Sequence, residues 1–101
     1  MNQVLVPGDM PPLEIHLKIK KRTGRTHLTS IEGLDRVERP EGLKLELFLK
    51  KLTSKLKKKF ICGAFIEDNV VTLNGDHREA IKDYLVKEGF ATEQQIKVHG
   101  F

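Results

Sequence analysis

The stretch from Ile15 to Leu34, IHLKIKKRTGRTHLTSIEGL, constrains the fold more than any other part of the chain. Ile15, Leu17 and Ile19 take every second position, and beyond a short turn Leu28 and Ser30 give way to Ile31. A period of two sends successive side chains to opposite faces of a strand. The spacing therefore predicts strands over 13–21 and 25–34, with Gly24 supplying the positive φ that a tight hairpin needs. Lys20, Lys21, Arg22 and Arg25 crowd the turn, and no acid accompanies them. Charge concentrated on an exposed turn points to a polyanionic partner.

After the hairpin the pattern changes. Residues 35–42, DRVERPEG, mix charge with Pro40 and Gly42 and read as a loop. Leu45, Phe48, Leu49, Leu52 and Leu56 then recur at three- and four-residue steps, the apolar stripe of an amphipathic helix that should end near Lys58. Lys44, Lys51, Lys55 and Lys58 form a roughly opposite stripe, with Leu47 falling among them. Lysine stems can cover such an apolar neighbour. Phe60 to Ile66 is nearly all apolar and reads as a buried strand that holds Cys62 as a small core residue. Glu67-Asp68-Asn69 forms a turn and residues 70–73 return as its partner strand.

Asn74-Gly75-Asp76 opens a second helix, with Asp76 at the N-cap and Glu79 three residues later as a capping box. Ala80, Ile81, Tyr84 and Leu85 make its apolar face, and Gly89 suits a left-handed C-terminal position. Ile96 and Val98 alternate in a last strand ending at Phe101. Residues 1–12, with three prolines, read as a flexible lead-in to a single domain over 13–101. The predicted fold class is α+β: a two-layer α/β plait, order β-β-α-β-β-α-β, both helices on one face of a mixed sheet.

Composition narrows the function. Residues 1–59 carry fourteen Lys+Arg against seven Asp+Glu, a net of +7, whereas residues 60–101 carry four against seven, a net of −3. Residues 50–59 alone hold six lysines and no acid. This asymmetry predicts two faces with different partners, one of them nucleic acid. No apolar run approaches bilayer length, and the N-terminus has no signal-like basic and apolar sections, so a soluble, intracellular, cytoplasmic protein is expected. A single cysteine cannot form an internal disulfide.

Catalysis has little to stand on. His16, His27, His77 and His99 lie on separate elements without metal-ligand spacing, so no metal and no cofactor is expected. His16 and His27 are expected to face each other across the hairpin as a solvent-side polar pair. Ser30 and Ser54 have no nucleophile-elbow motif, and the glycines do not make a phosphate-binding loop. With only six aromatic residues and none in the hairpin, base stacking on a sheet is disfavoured. Docking on the shape and backbone of structured RNA fits better.

Four segments together carry a resemblance: the hairpin itself, LKKKFICGA, LNGDHREAIKDYLVKEGF and the terminal IKVHGF. Over roughly Glu14 to Phe101 they resemble the Sui-domain family, that of eukaryotic-type translation initiation factor 1. The resemblance implies the same two-helix, five-strand plait. It also implies a factor without catalytic activity that binds the small ribosomal subunit beside the P site. There it promotes scanning and hinders initiator tRNA accommodation until a proper start codon pairs.

By matching position, the RNA-facing loop is Lys20, Lys21, Arg22, Thr23, Gly24 and Arg25. Lys57, Lys58 and Lys59 correspond to a second element that faces ribosomal RNA, with Lys51 and Lys55 along the same helix. Gly75, Asp76 and Arg78 match the family's GDxR, as a contact or a structural cap. Implied partners are ribosomal RNA, the vicinity of the initiator tRNA and other initiation factors, with a monomer off the ribosome. Thr23 stands where the family usually has asparagine, and Thr26-His27 replaces a Lys-Thr pair, which leaves the tip less charged. The 35–42 loop is longer than usual, and the N-terminal tail is brief. The 67–69 turn is shorter, closer to archaeal and bacterial relatives, while the KVHGF ending favours the eukaryotic branch. The alternatives are a Sui-type reinitiation or recycling factor and a general structured-RNA-binding module.

Overall fold

The computed structural model describes residues 13–100; the lead-in expected over 1–12 and the expected strand end at Phe101 lie outside them. The alternating runs form β1 (Ile15–Lys21) and β2 (His27–Glu32), paired antiparallel with Leu17 opposite Ile31 and Ile19 opposite Thr29. α1 spans Leu45–Phe60, β3 Ala64–Glu67, β4 Val70–Asn74, α2 Arg78–Lys87 and β5 Ile96–Val98. The sheet order is β3-β4-β2-β1-β5, antiparallel throughout except for β1 beside β5. Both helices contribute to the single core on one face of this mixed sheet, which is the predicted plait. Ile15, Leu17, Ile31 and Leu73 from the sheet meet Leu49, Leu56, Ile81 and Leu85 from the helices, all essentially without solvent exposure.

Several expected boundaries and contacts are corrected. Both hairpin strands are shorter than expected, and Thr29, not Leu28, shares the core face with Ile31, because period two counted back from Ile31 selects residue 29. His16 pairs with Glu32 and His27 with Lys21, so the expected histidine pair does not form. The 35–42 loop gives up Val37 to the core, after a 3-10 turn at Leu34–Arg36.

α1 runs through Phe60, and the expected strand start at Phe60 is replaced by a helix cap. Ile61 takes the left-handed conformation at φ 50° and is 90% exposed. Cys62 is therefore half-buried in the turn before β3, not a strand residue, and burial pushes its thiol up. Asp68 and Asn69 both have positive φ, which gives the tight turn between β3 and β4. Ala80 faces solvent, whereas Ile81 and Leu85 are buried and Tyr84 is half-buried. Gly89 follows α2 at φ 79°. No described helix is long and apolar enough to cross a membrane.

Candidate nucleic-acid interface

Strand register decides which charged segments meet. The hairpin tip joins the end of β1 to the start of β2, and Leu28 pairs with Asn74, so β4 ends beside the tip. Ala64 pairs with Leu73, which brings the start of β3, and the end of α1 before it, to the same end of the sheet. α2 begins there too, directly after the Asn74–Asp76 turn.

The tip is held by its threonines. Arg22 N–H donates to the Thr26 carbonyl at 2.9 Å and Thr26 N–H to the Thr23 carbonyl at 3.0 Å. The Thr26 hydroxyl donates to the same Thr23 carbonyl at 2.7 Å and accepts from Thr23 N–H at 3.2 Å. Gly24 occupies the first central position of this turn at φ 55°. Thr23 and Thr26, which lower the tip's charge, thus fix its backbone. Lys20, Lys21, Arg22 and Arg25 stand exposed around it.

The neighbouring turn is assembled around Thr29. Its buried hydroxyl donates to the Gly75 carbonyl at 2.6 Å and accepts from His77 N–H at 3.0 Å. Gly75 N–H donates to the His27 carbonyl at 2.7 Å, tying the turn directly to the base of the tip. Gly75 has φ 101°, and a Cβ there would approach His77 Nε2 to 2.8 Å. That nitrogen donates to the Asn74 carbonyl at 2.8 Å. Only glycine fits both demands.

The N-cap position of α2 falls on His77, one residue beyond Asp76, and the predicted capping box with Glu79 is absent. The Asp76 carboxylate accepts from the Arg78 backbone N–H at 3.3 Å, at the first residue of α2, and from Arg78 Nε at 2.9 Å and Nη2 at 2.8 Å, a two-point pair. The hydrogen bond from Arg78 holds the Asp76 carboxyl below its ordinary range. Arg78 Nη1 also donates to the His99 carbonyl at 2.6 Å, reaching the segment after β5. A capping box does form at Thr92 and Gln95, where the threonine-to-glutamine spacing was its sequence signal.

The lysines divide into two groups. Lys57, Lys58 and Lys59 lie in the last turn of α1, where cations meet the carbonyl end of the helix dipole. Phe60 links that end to α2, with its ring 5.3 Å from His77 and 6.4 Å from Tyr84. Lys59 Nζ lies 5.7 Å from the Tyr84 ring centroid. Lys55 stands exposed about half a turn before Lys57, and Lys51 a further turn back along α1. Among the described residues, no three His, Cys, Asp or Glu side chains converge in a metal-binding group.

The family model for translation initiation factor SUI1 matches residues 11–91. The chain belongs to the SUI1 family of translation initiation factors. It is 38% identical over 94 residues to a protein translation factor SUI1 homolog of Acanthamoeba polyphaga mimivirus, covering 87% of this chain and 80% of that one. It is 40% identical over 92 residues to eukaryotic translation initiation factor eIF1 of Drosophila melanogaster, covering 86% and 76%. A SUI1 homolog of Zea mays is 35% identical over 92 residues, covering 86% and 72%. This is a family of initiation factors and not of enzymes.

The motifs named some residues of this sheet end and missed others. The tip, the GDxR turn and the end of α1 share one end of the sheet, with Lys55 and then Lys51 leading back from it along α1. Thr29, His77 and Phe60 hold that end together and carry no charge pattern by which to find them. For Thr29 the signal was available: an inward strand position occupied by a hydroxyl, which must have a partner.

Proposed function

We propose that this factor binds the small ribosomal subunit near the P site through the end of the sheet where its basic tip, GDxR turn and α1 terminus converge. The convergence carries the proposal: Lys20, Lys21, Arg22 and Arg25 stand on one side, Lys57, Lys58 and Lys59 on the other, with Thr23 and Gly24 shaping the tip. Cations in that arrangement bind a phosphate backbone by charge and shape, without base stacking on the sheet. The tip is short, braced and well clear of the core. Its bulk and charge hinder initiator tRNA accommodation until a proper start codon pairs, which promotes scanning and start-codon stringency. Gly75, Asp76 and Arg78 act from beneath as the brace. Other initiation factors then dock on the less basic surfaces, in the cytoplasm, with the factor a monomer off the ribosome.

The test is a reconstituted initiation assay that compares AUG with a near-cognate codon. Alanine at Lys21, Arg22 and Arg25 together should raise near-cognate initiation relative to AUG several-fold while leaving the unfolding midpoint in place. Unchanged codon choice in a folded variant would refute the proposed role of the tip.

A further inference from the structure

The tip and the GDxR turn do not simply abut. Between them opens a cleft of about 500 Å³ lined by Arg22, Arg25, Thr26, His27, Asn74 and the Gly75–Asp76 backbone turn. We infer that this cleft receives a single ribonucleotide of the bound RNA, its phosphate on Arg22 and Arg25 and its base against Asn74 and His27.

The two walls differ in character. The hairpin wall carries two guanidiniums, whose forked donors fit phosphate oxygens and whose planes stack on bases. The Thr26 hydroxyl is engaged with Thr23 and contributes shape instead of a contact. The opposite wall has no cation among the lining residues. It offers the exposed Asn74 side chain, with amide donors and an acceptor suited to a base edge, while the His27 ring stands on the hairpin side at the base of the tip. Asp76 lies on this wall with both carboxylate oxygens held by Arg78. The pair carries no net charge, so this wall has no free cation from Arg78 to draw a second phosphate. A ligand with one anionic end and one neutral, hydrogen-bonding end matches these walls, and a nucleotide is such a ligand. The floor is rigid, since Thr29 and the Gly75-to-His27 hydrogen bond fix one wall to the other.

The inference rests on the RNA-facing reading above and is tested apart from it. The full-length chain, labelled with nitrogen-15, is titrated with the four ribonucleoside 5′-monophosphates, inorganic phosphate, adenosine and hexaglutamate. At least one nucleotide should shift the amides of Arg25, Thr26 and Gly75 at tenfold lower concentration than phosphate or adenosine. Arg22→Ala with Arg25→Ala should weaken it at least tenfold, and Asn74→Ala several-fold, in spectra that remain dispersed. Equal responses to nucleotide and phosphate would overturn the inference, leaving a charge patch only. Tighter binding of hexaglutamate would overturn it in favour of an acidic peptide. Small-subunit binding is measured in parallel. Subunit binding without nucleotide in the cleft refutes the inference alone, and nucleotide binding without subunit binding refutes the proposed function alone.

Discussion

The hydroxyl of Thr29 has no solvent exposure, yet both of its hydrogen-bonding roles are filled by the turn that follows β4. Replacing it with valine keeps the volume and strands a buried carbonyl and amide. Thr29→Val should cost about 1–3 kcal/mol of stability in denaturant unfolding, and Thr29→Ser should recover most of it. A neutral Thr29→Val would mean that the turn is held elsewhere. Thr53 is the opposite case. Its Oγ1 is buried in α1 with no hydrogen-bond partner among the described residues. Thr53→Val removes that unmet donor at nearly constant shape and should be neutral or stabilising by up to about 1 kcal/mol. A loss above that would reveal a hidden partner, read directly from the unfolding midpoint. The inward strand position of Thr29 signals the need for a partner but not which one, and Thr53 carries no such signal. Whether a buried hydroxyl finds a partner depends on a segment more than forty residues away for Thr29.

Among the elements, those set by local periodicity were legible and those set by a distant neighbour were not. The hairpin, α1 and the tight turn at Asp68–Asn69 follow from alternation, a three-to-four-residue stripe and turn chemistry. The boundary at Phe60 misled because Phe60, Ile61 and Cys62 are apolar in composition but serve as a helix end and its cap. Ile61 is a β-branched residue in the left-handed region, a conformation its side chain disfavours, and so nothing in its type foretells it. Asp76 misled in another way: the N-cap falls one residue later, on His77, and the aspartate joins both the backbone N–H and the guanidinium of Arg78. The candidate site was half legible. Its cations could be counted, but their convergence depends on β4 pairing with β2, which no local pattern encodes.

The Asp76–Arg78 pair has a consequence for the element it begins. Asp76 has a native pKa below its unfolded value, so its contribution is complete above the unfolded value of about 4 and is lost as pH falls through the lowered native value. Asp76→Asn should therefore lower the melting temperature at pH 7, with a deficit that shrinks as the buffer is taken below about pH 4. A deficit that stays constant from pH 7 into acid would contradict the pairing. Thermal melts of both proteins across that range decide it.

On the scale of the whole molecule, the fold gathers charges that the chain keeps apart. The tip cations lie near residue 22 and the α1 cluster near residue 58, and five strands in the order β3-β4-β2-β1-β5 bring both to one end. Each hairpin cation and each α1 lysine that meets a phosphate should contribute to the salt dependence of binding. The most direct test is the affinity of the protein for isolated small ribosomal subunits as a function of salt. The intact chain should bind with a steep loss of affinity as salt rises and with clear preference over arbitrary RNA. Arg22→Ala with Arg25→Ala, and separately Lys57→Ala with Lys58→Ala, should each lower the log–log slope by about one unit per phosphate contact removed. Both pairs should leave the fold intact. Slopes that do not move in either variant, or equal affinity for subunits and arbitrary RNA, would contradict a single ribosome-facing surface at this end of the sheet.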